Sequence, residues 1–431
     1  MLQHSPPLPL IVHIQSIYLC DITQSTNNII HALQYSDRVV SISVDTCVVD
    51  PKLFTALDKS FPALETFSLV VGLFESPDRE FLFFPQNFAA PHLRTLYLKN
   101  VNIFEAPSLL TSIGTSLVSL RIEQIEEYSY LSPGELVECT SSMPQLEKLS
   151  IRFVADFRLA DIEGELWGAQ TGRTVLLNLR KLTFGGDSAY LDKLLALIST
   201  PLLQCFDVEF FSQPTLVVQH IPEFLSTIQN LDFRALAVSF SDAVTITYRP
   251  TQTSGSLSCV MFRIDDETDR LNQQVTTVIQ VCATVGPALN AVEDVALEFG
   301  RCYVPDDFAV RSELWRTFLR SFQTSRTLRT DVALVPDIFK VLNPDNGTAA
   351  EELLPLLSEL VVVSRIDLTH NPFASLIHAR SLAGRFINFQ VLKRRGLPPR
   401  TFTLGHFDAL YERYDTTMPY PPLDLTDITF D

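Results

Sequence analysis

Residues 90–101 read APHLRTLYLKNV. Leucines stand at 93, 96 and 98, just after Pro91, so the apolar interval is three residues and then two. A helix repeats its apolar face every three or four residues and a half-buried strand every two. The run is therefore neither a heptad helix nor a plainly alternating strand. The same P-x-L-x-x-L-x-L spacing recurs at Val39-Ile42-Val44, Leu64-Phe67-Leu69, Leu117-Leu120-Ile122, Leu146-Leu149-Ile151 and Leu179-Leu182-Phe184. It continues at Leu203-Phe206-Val208, Phe233-Leu236-Val238, Leu257-Val260-Phe262, Val292-Val295-Leu297, around Leu328, and at Leu357-Leu360-Val362. The first positions step by about 24 to 35 residues, which overlaps and slightly exceeds a leucine-rich-repeat period.

Between these runs lie segments of helical periodicity: DPKLFTALDKSF, PGELVECTSSM, YLDKLLALIST, IPEFLSTIQN and LNQQVTTVIQVCATV. Each places apolar residues at i, i+3, i+4 and i+7, with Pro, Ser or Asp near its start. Proline ahead of the next strand blocks continuation of the helix. A unit of strand, loop, helix and loop cannot bury its own apolar faces, so neighbouring copies must stack. The expected fold class is α/β: a leucine-rich-repeat solenoid of about a dozen units, a horseshoe with a parallel sheet on the concave face and helices on the convex face. An ordinary doubly wound α/β domain would call for glycine-rich turns, and the chain has 15 glycines and no G-x-G-x-x-G.

The chain has 431 residues, 46% of them hydrophobic, which suffices for a large core. Its formal charge is −17, with 33 basic and 50 acidic side chains, a poor match to broad binding of a nucleic-acid backbone. Seven cysteines (Cys20, Cys47, Cys139, Cys205, Cys259, Cys282, Cys302) are far apart in sequence and form no C-x-x-C pair, which argues against a disulfide or zinc framework. The amino terminus, MLQHSPPLPLIVHI, lacks a basic leader region, and no stretch is long enough to cross a bilayer. The expected location is intracellular, cytoplasmic or nuclear, with no membrane and no nucleic-acid partner. Asn346-Gly347-Thr348 then reads as a plain turn.

No phosphate loop, zinc-protease motif or nucleophile elbow is present. The eight histidines are scattered, and DDETD at 265–269 lacks the alternating ligands and the glycine of a calcium loop. Asp306-Asp307 reads as a helix N-cap. No catalytic, cofactor or metal residue emerges, and the chain is expected not to be an enzyme. The expected site is the concave strand face. If Leu96 and Leu98 point inward, Thr95, Tyr97 and Lys99 point out. The same alternation exposes Arg121 and Glu123, Ser150 and Arg152, and Asp207 and Glu209 in successive repeats. Tyr97, Lys99, Arg121 and Arg152 then form a local basic and aromatic patch suited to a protein target, since Arg and Tyr are favoured interface anchors.

The repeats are expected over residues 8–392, from a first strand LPLIVHI to a closing helix NPFASLIHARSLAGRF and a last strand INFQV, with a partly irregular or disordered extension over 393–431. LPLIVHI followed by NNIIHALQYSDRV, the block YLSPGELVECTSSMPQLEKLSIRF, the run TPLLQCFDVEFF and the closing FASLIHARSLAGR resemble the leucine-rich-repeat region of F-box proteins expanded in mushroom-forming fungi. That resemblance implies the substrate-receptor portion of a cullin-type ubiquitin ligase, in which an F-box docks on the adaptor and the repeats hold a target. No F-box precedes the repeats here, so adaptor binding is expected only if that segment is missing. The chain as written is expected to self-associate through its first strand edge. A stand-alone repeat scaffold with no ligase link is the alternative, and an enzyme with an unrecognised loop site is the competing class.

Overall fold

The computed structural model describes residues 8–16, 22–46, 51–72, 83–103, 106–126, 129–154, 172–211, 219–228, 233–241, 243–249, 259–265, 271–286, 291–300, 312–342, 353–364, 373–382 and 384–393. In chain order the strands are β1 (Leu10–Ser16), β2 (Val39–Thr46), β3 (Thr66–Val71), β4 (Thr95–Lys99), β5 (Ser119–Ile125) and β6 (Lys148–Phe153). Next come β7 (Thr174–Val175), β8 (Lys181–Gly186), β9 (Ile198–Ser199), β10 (Cys205–Phe210), β11 (Ala235–Phe240) and β12 (Ala243–Arg249). The series ends with β13 (Cys259–Asp265), β14 (Asp294–Phe299), β15 (Thr327–Asp331), β16 (Glu359–Ser364) and β17 (Asn388–Lys393). The helices are α1 (Ile22–Leu33), α2 (Pro51–Leu57), α3 (Ala106–Ile113), α4 (Pro133–Ser141), α5 (Ser188–Leu197), α6 (Ile221–Thr227), α7 (Leu271–Val285), α8 (Ser312–Arg320), α9 (Val335–Leu342) and α10 (Ala374–Leu382).

Fifteen of the described strands make one sheet, and the two-residue β7 and β9 pair with each other in a second. Nearly all the pairings in the large sheet are parallel, as strand–helix–strand units require. One face carries the core. Ile42, Phe67, Leu96, Leu120, Leu149, Leu182 and Phe206 form a row across it, and Val44, Leu69, Leu98, Ile122, Ile151, Phe184 and Val208 form the next. All of these side chains are at most 2% exposed. Each such burial stabilises by about 1.5–3 kcal/mol before chain entropy is set against it. The helices pack on this face and on their sequential neighbours, α3 on α4, α4 on α5, and so on through α9. The other face is left open by the described helices. Between β3 and β4 the described residues include no helix; there Phe84 and Phe88 pack on Phe67, with ring centroids 5.6 and 5.1 Å away.

Among the described strands the repeat order breaks once. The expectation that Phe233-Leu236-Val238 and Leu257-Val260-Phe262 lie in adjacent parallel strands is corrected: the spatial order is β10-β13-β12-β11-β14. The cause is AVTITYR, residues 243–249, which follows β11 after only two residues. So short a connection permits only an antiparallel hairpin, and Val244, Ile246 and Tyr248 alternate as a strand should. β13 then turns back antiparallel to β12 and lies parallel to β10. The next crossover must pass β12 and β11 to reach β14. It uses the longest described helix, the 15-residue α7, which packs on β12.

β1 starts at Leu10 and β17 ends at Lys393. Leu8, just ahead of β1, and Ile11, within it, are 62% and 75% exposed, and β1 pairs only with β2 among the described residues. Asn346–Thr348, Asp306-Asp307, residues 266–269 of DDETD and the extension beyond Lys393 lie outside the described residues.

Candidate functional site

Parallel pairing puts side chains of the open face into registered rows. One row is Tyr97, Arg121, Ser150, Thr183, Asp207 and Met261, on β4, β5, β6, β8, β10 and β13. The next row, toward the strand ends, is Lys99, Glu123, Arg152, Gly185, Glu209 and Arg263. The row on the other side is Thr95, Ser119, Lys148, Lys181, Cys205 and Cys259. All seven residues expected from sequence alternation (Tyr97, Lys99, Arg121, Glu123, Arg152, Asp207 and Glu209) stand in this one block of six strands.

Within the block the polar groups form a chain. The Arg121 guanidinium lies over the Tyr97 ring, 4.4 Å from its centroid, and Arg121 Nε donates to Glu123 Oε1 at 2.7 Å. Tyr97 OH donates to Glu123 Oε2 at 3.1 Å. Arg152 Nε is 3.9 Å from Glu123 Oε1, and its Nη1 donates to Glu209 Oε2 at 2.5 Å. Arg263 Nε is 3.3 Å from the other oxygen of Glu209. The chain therefore runs Tyr97, Arg121, Glu123, Arg152, Glu209, Arg263. The two carboxylates are the enclosed members, with side chains 8% and 14% exposed, whereas Arg121 and Arg263 are half exposed.

Arg152 reaches from β6 to β10 because the strand between them carries a glycine. A Cβ at Gly185 would stand 2.9 Å from Arg152 Cγ, inside any real carbon–carbon contact. The missing side chain is a trough in which the arginine stem lies. Sequence reading missed Gly185. Its signal is faint: KLTFGG breaks the strand pattern at the outward position and nothing more.

The patch carries charges of both signs. Its three rows hold six cations (Lys99, Arg121, Lys148, Arg152, Lys181 and Arg263) against three carboxylates (Glu123, Asp207 and Glu209). Arg121, Arg152 and Arg263 are paired with carboxylates, whereas Lys99, Lys148 and Lys181 make no ion pair among the described residues. Lys148 and Lys181 are exposed register partners. Burial pushes the Asp207 carboxyl above its ordinary value, and the nearby Arg152 and Lys181 charges pull it back only in part. Burial, with Glu123 adding to it, pushes the Tyr97 phenol up to about 12, so it stays a donor.

Two further pairings were invisible in sequence. Asp192 on α5 accepts from the backbone N–H of His220 at 2.7 Å, and the His220 Nδ1 is 2.8 Å from its other oxygen. This ties α5 to the start of α6 across 28 residues. The second is the side-by-side placement of Cys205 and Cys259, which the strand-order break creates. Among the described residues no group of three or more His, Cys, Asp or Glu is arranged to hold a metal ion, and no helix is long and apolar enough to cross a membrane.

Fold and face together define the class: an α/β leucine-rich-repeat sheet, helices on one side, with a charged and hydrogen-bonded open face on the other. No protein-family profile matches the chain, and no curated protein does. Among solved structures it is similar to that described as the crystal structure of a TLR13–ssRNA13 complex, with a TM-score of 0.32 and 12% identity. The match covers 83% of this chain and 46% of that one, so the chain spans about half the length of the protein it resembles.

Proposed function

We propose that the chain is a non-enzymatic recognition scaffold that binds an acidic segment of a protein across the open face of β4, β5, β6, β8, β10 and β13. The observation that carries this is the registered block of six cations and three carboxylates on a chain of net charge −17. Three of the cations are held in place by the carboxylates, which preorganises their guanidinium groups. The three unpaired lysines remain to meet carboxylates or other anionic groups on the partner. Complementary charge of this kind governs encounter rate and partner choice more than raw affinity.

The finer reading is that this face is the target-holding part of an F-box-type substrate receptor. It is supported by the resemblance of the repeat blocks to fungal F-box proteins. The alternative is a stand-alone repeat scaffold. The location we propose is intracellular, cytoplasmic or nuclear.

Proximity labelling in cells separates these readings. The chain fused to a labelling enzyme is compared with a Lys148→Glu/Lys181→Glu variant, both sites being exposed and unpaired, so folding is spared. The proposal expects one or a few proteins, rich in acidic segments, to be labelled by the parent and lost at least tenfold in the variant. Recovery of ligase components supports the receptor reading, and targets alone support the stand-alone scaffold. Identical labelling by both forms would overturn the open-face assignment.

A further inference from the structure

The geometry points to a dithiol site at Cys205 and Cys259 that undergoes exchange with a low-molecular-weight disulfide to form an intramolecular disulfide. The two residues are 54 positions apart and sit in different repeats. In unbroken repeat order β10 would neighbour β11, and Ala235 would stand beside Cys205. The hairpin of β11 and β12 instead returns β13 to the flank of β10, and Cys205 becomes the direct register partner of Cys259.

Both thiols belong to the open-face row. Cys205 alternates with the buried Phe206 and Val208, and Cys259 with the buried Val260 and Phe262. Cys139 and Cys282 are members of the contiguous hydrophobic core, whereas neither Cys205 nor Cys259 is. Register partners in adjacent strands have Cα atoms about 4.8 Å apart. That lies within the range of about 4.4–6.8 Å that a disulfide spans. In-register Cβ atoms of parallel strands stand at nearly the same spacing, wider than the ~3.8 Å a disulfide prefers, so the two strands must draw together. A bond closed against such resistance is readily reduced, which suits a reversible site rather than a permanent staple.

The two cysteines differ in access. Cys205 is partly exposed, and Cys259 is 3% exposed. Burial raises the Cys205 thiol, and the adjacent Lys181 ammonium opposes that rise. Proximity of the second thiol, rather than unusual acidity of the first, therefore drives the exchange. The Cys205 thiolate attacks one sulfur of glutathione disulfide; the S–S bond breaks, a mixed disulfide forms, and one glutathione leaves as its thiolate. Cys259 then loses its proton, attacks the Cys205 sulfur and displaces the second glutathione. Two S–H bonds are lost and one Sγ–Sγ bond is gained, while the oxidant takes up two electrons and two protons.

The test uses the full chain and glutathione disulfide, with N-ethylmaleimide quenching and peptide mass spectrometry without reduction. The expected product is a linked peptide pair containing Cys205 and Cys259, with Cys139 and Cys282 alkylated. Cys259→Ser is expected to stop at the mixed disulfide on Cys205, and Cys205→Ser to leave Cys259 a thiol. Three outcomes would overturn the site: a parent chain that also stops at the mixed disulfide, a Cys205 that stays alkylated, or a link from Cys205 to any other cysteine.

Discussion

Gly185 holds the ladder together by having no side chain. Gly185→Ala places a carbon 2.9 Å from Arg152 Cγ and must push the arginine stem off the strand, away from Glu209. Overpacking of this kind costs about 1–3 kcal/mol, read as a lowered urea midpoint. The mechanism is specific, so the cost should vanish in an Arg152→Ala background; a double-mutant cycle with no coupling would show that Gly185 serves something else. Asp207 behaves in the opposite sense. Its folded carboxyl value lies above the ordinary 3.8, so ionisation works against folding. That cost is fully present above the folded value and disappears as the pH falls below the unfolded one. Asp207→Asn should therefore be more stable than the parent at neutral pH, and its advantage should shrink as unfolding is measured toward about pH 4. An advantage that grows with acid would reverse the sign of the argument.

At the scale of elements, the strands under the site rest on helices with identifiable start signals. Ser132 opens α4 with a reciprocal capping box: its Oγ accepts from Glu135 N–H at 3.2 Å, and Glu135 Oε2 accepts from Ser132 N–H at 2.8 Å. Ser132→Ala should cost about 1 kcal/mol, measured by chemical unfolding, because the Glu135 N–H loses its acceptor. That cap was legible in the sequence as Ser-Pro-Gly-Glu, just as the alternation that puts Tyr97, Arg121 and Arg152 on one face was legible in LYLKN, LRIEQ and LSIRF. The break in strand order was not read, although a sign of it was present. Spacing between repeats stays regular across residues 233–257, but no helical periodicity lies between them; AVTITYR alternates instead. Length alone admits either connection, and only the period tells a hairpin from a crossover. Which carboxylate pairs with which guanidinium group could not be read at all. That depends on cross-strand register, and register brings together residues such as Arg152 and Glu209 that are 57 positions apart.

At the scale of the whole molecule, a chain of −17 concentrates an excess of cations on one registered patch of its sheet. Exposed charges act over about 10 Å at 0.1 M salt, so under the proposed function the acidic remainder of the surface would disfavour an anionic partner elsewhere and favour it at that patch. Lysine footprinting with an acylating reagent, read by mass spectrometry on the chain with and without its captured partner, tests this account most directly. Lys148 and Lys181 lie on the open face, whereas Lys52 on α2 and Lys340 on α9 are exposed on the helix side and serve as internal references. The account predicts that the partner slows acylation of Lys148 and Lys181 severalfold and leaves Lys52 and Lys340 unchanged. Protection of Lys52 or Lys340 with Lys148 and Lys181 still fully reactive would place recognition on the helices and contradict it.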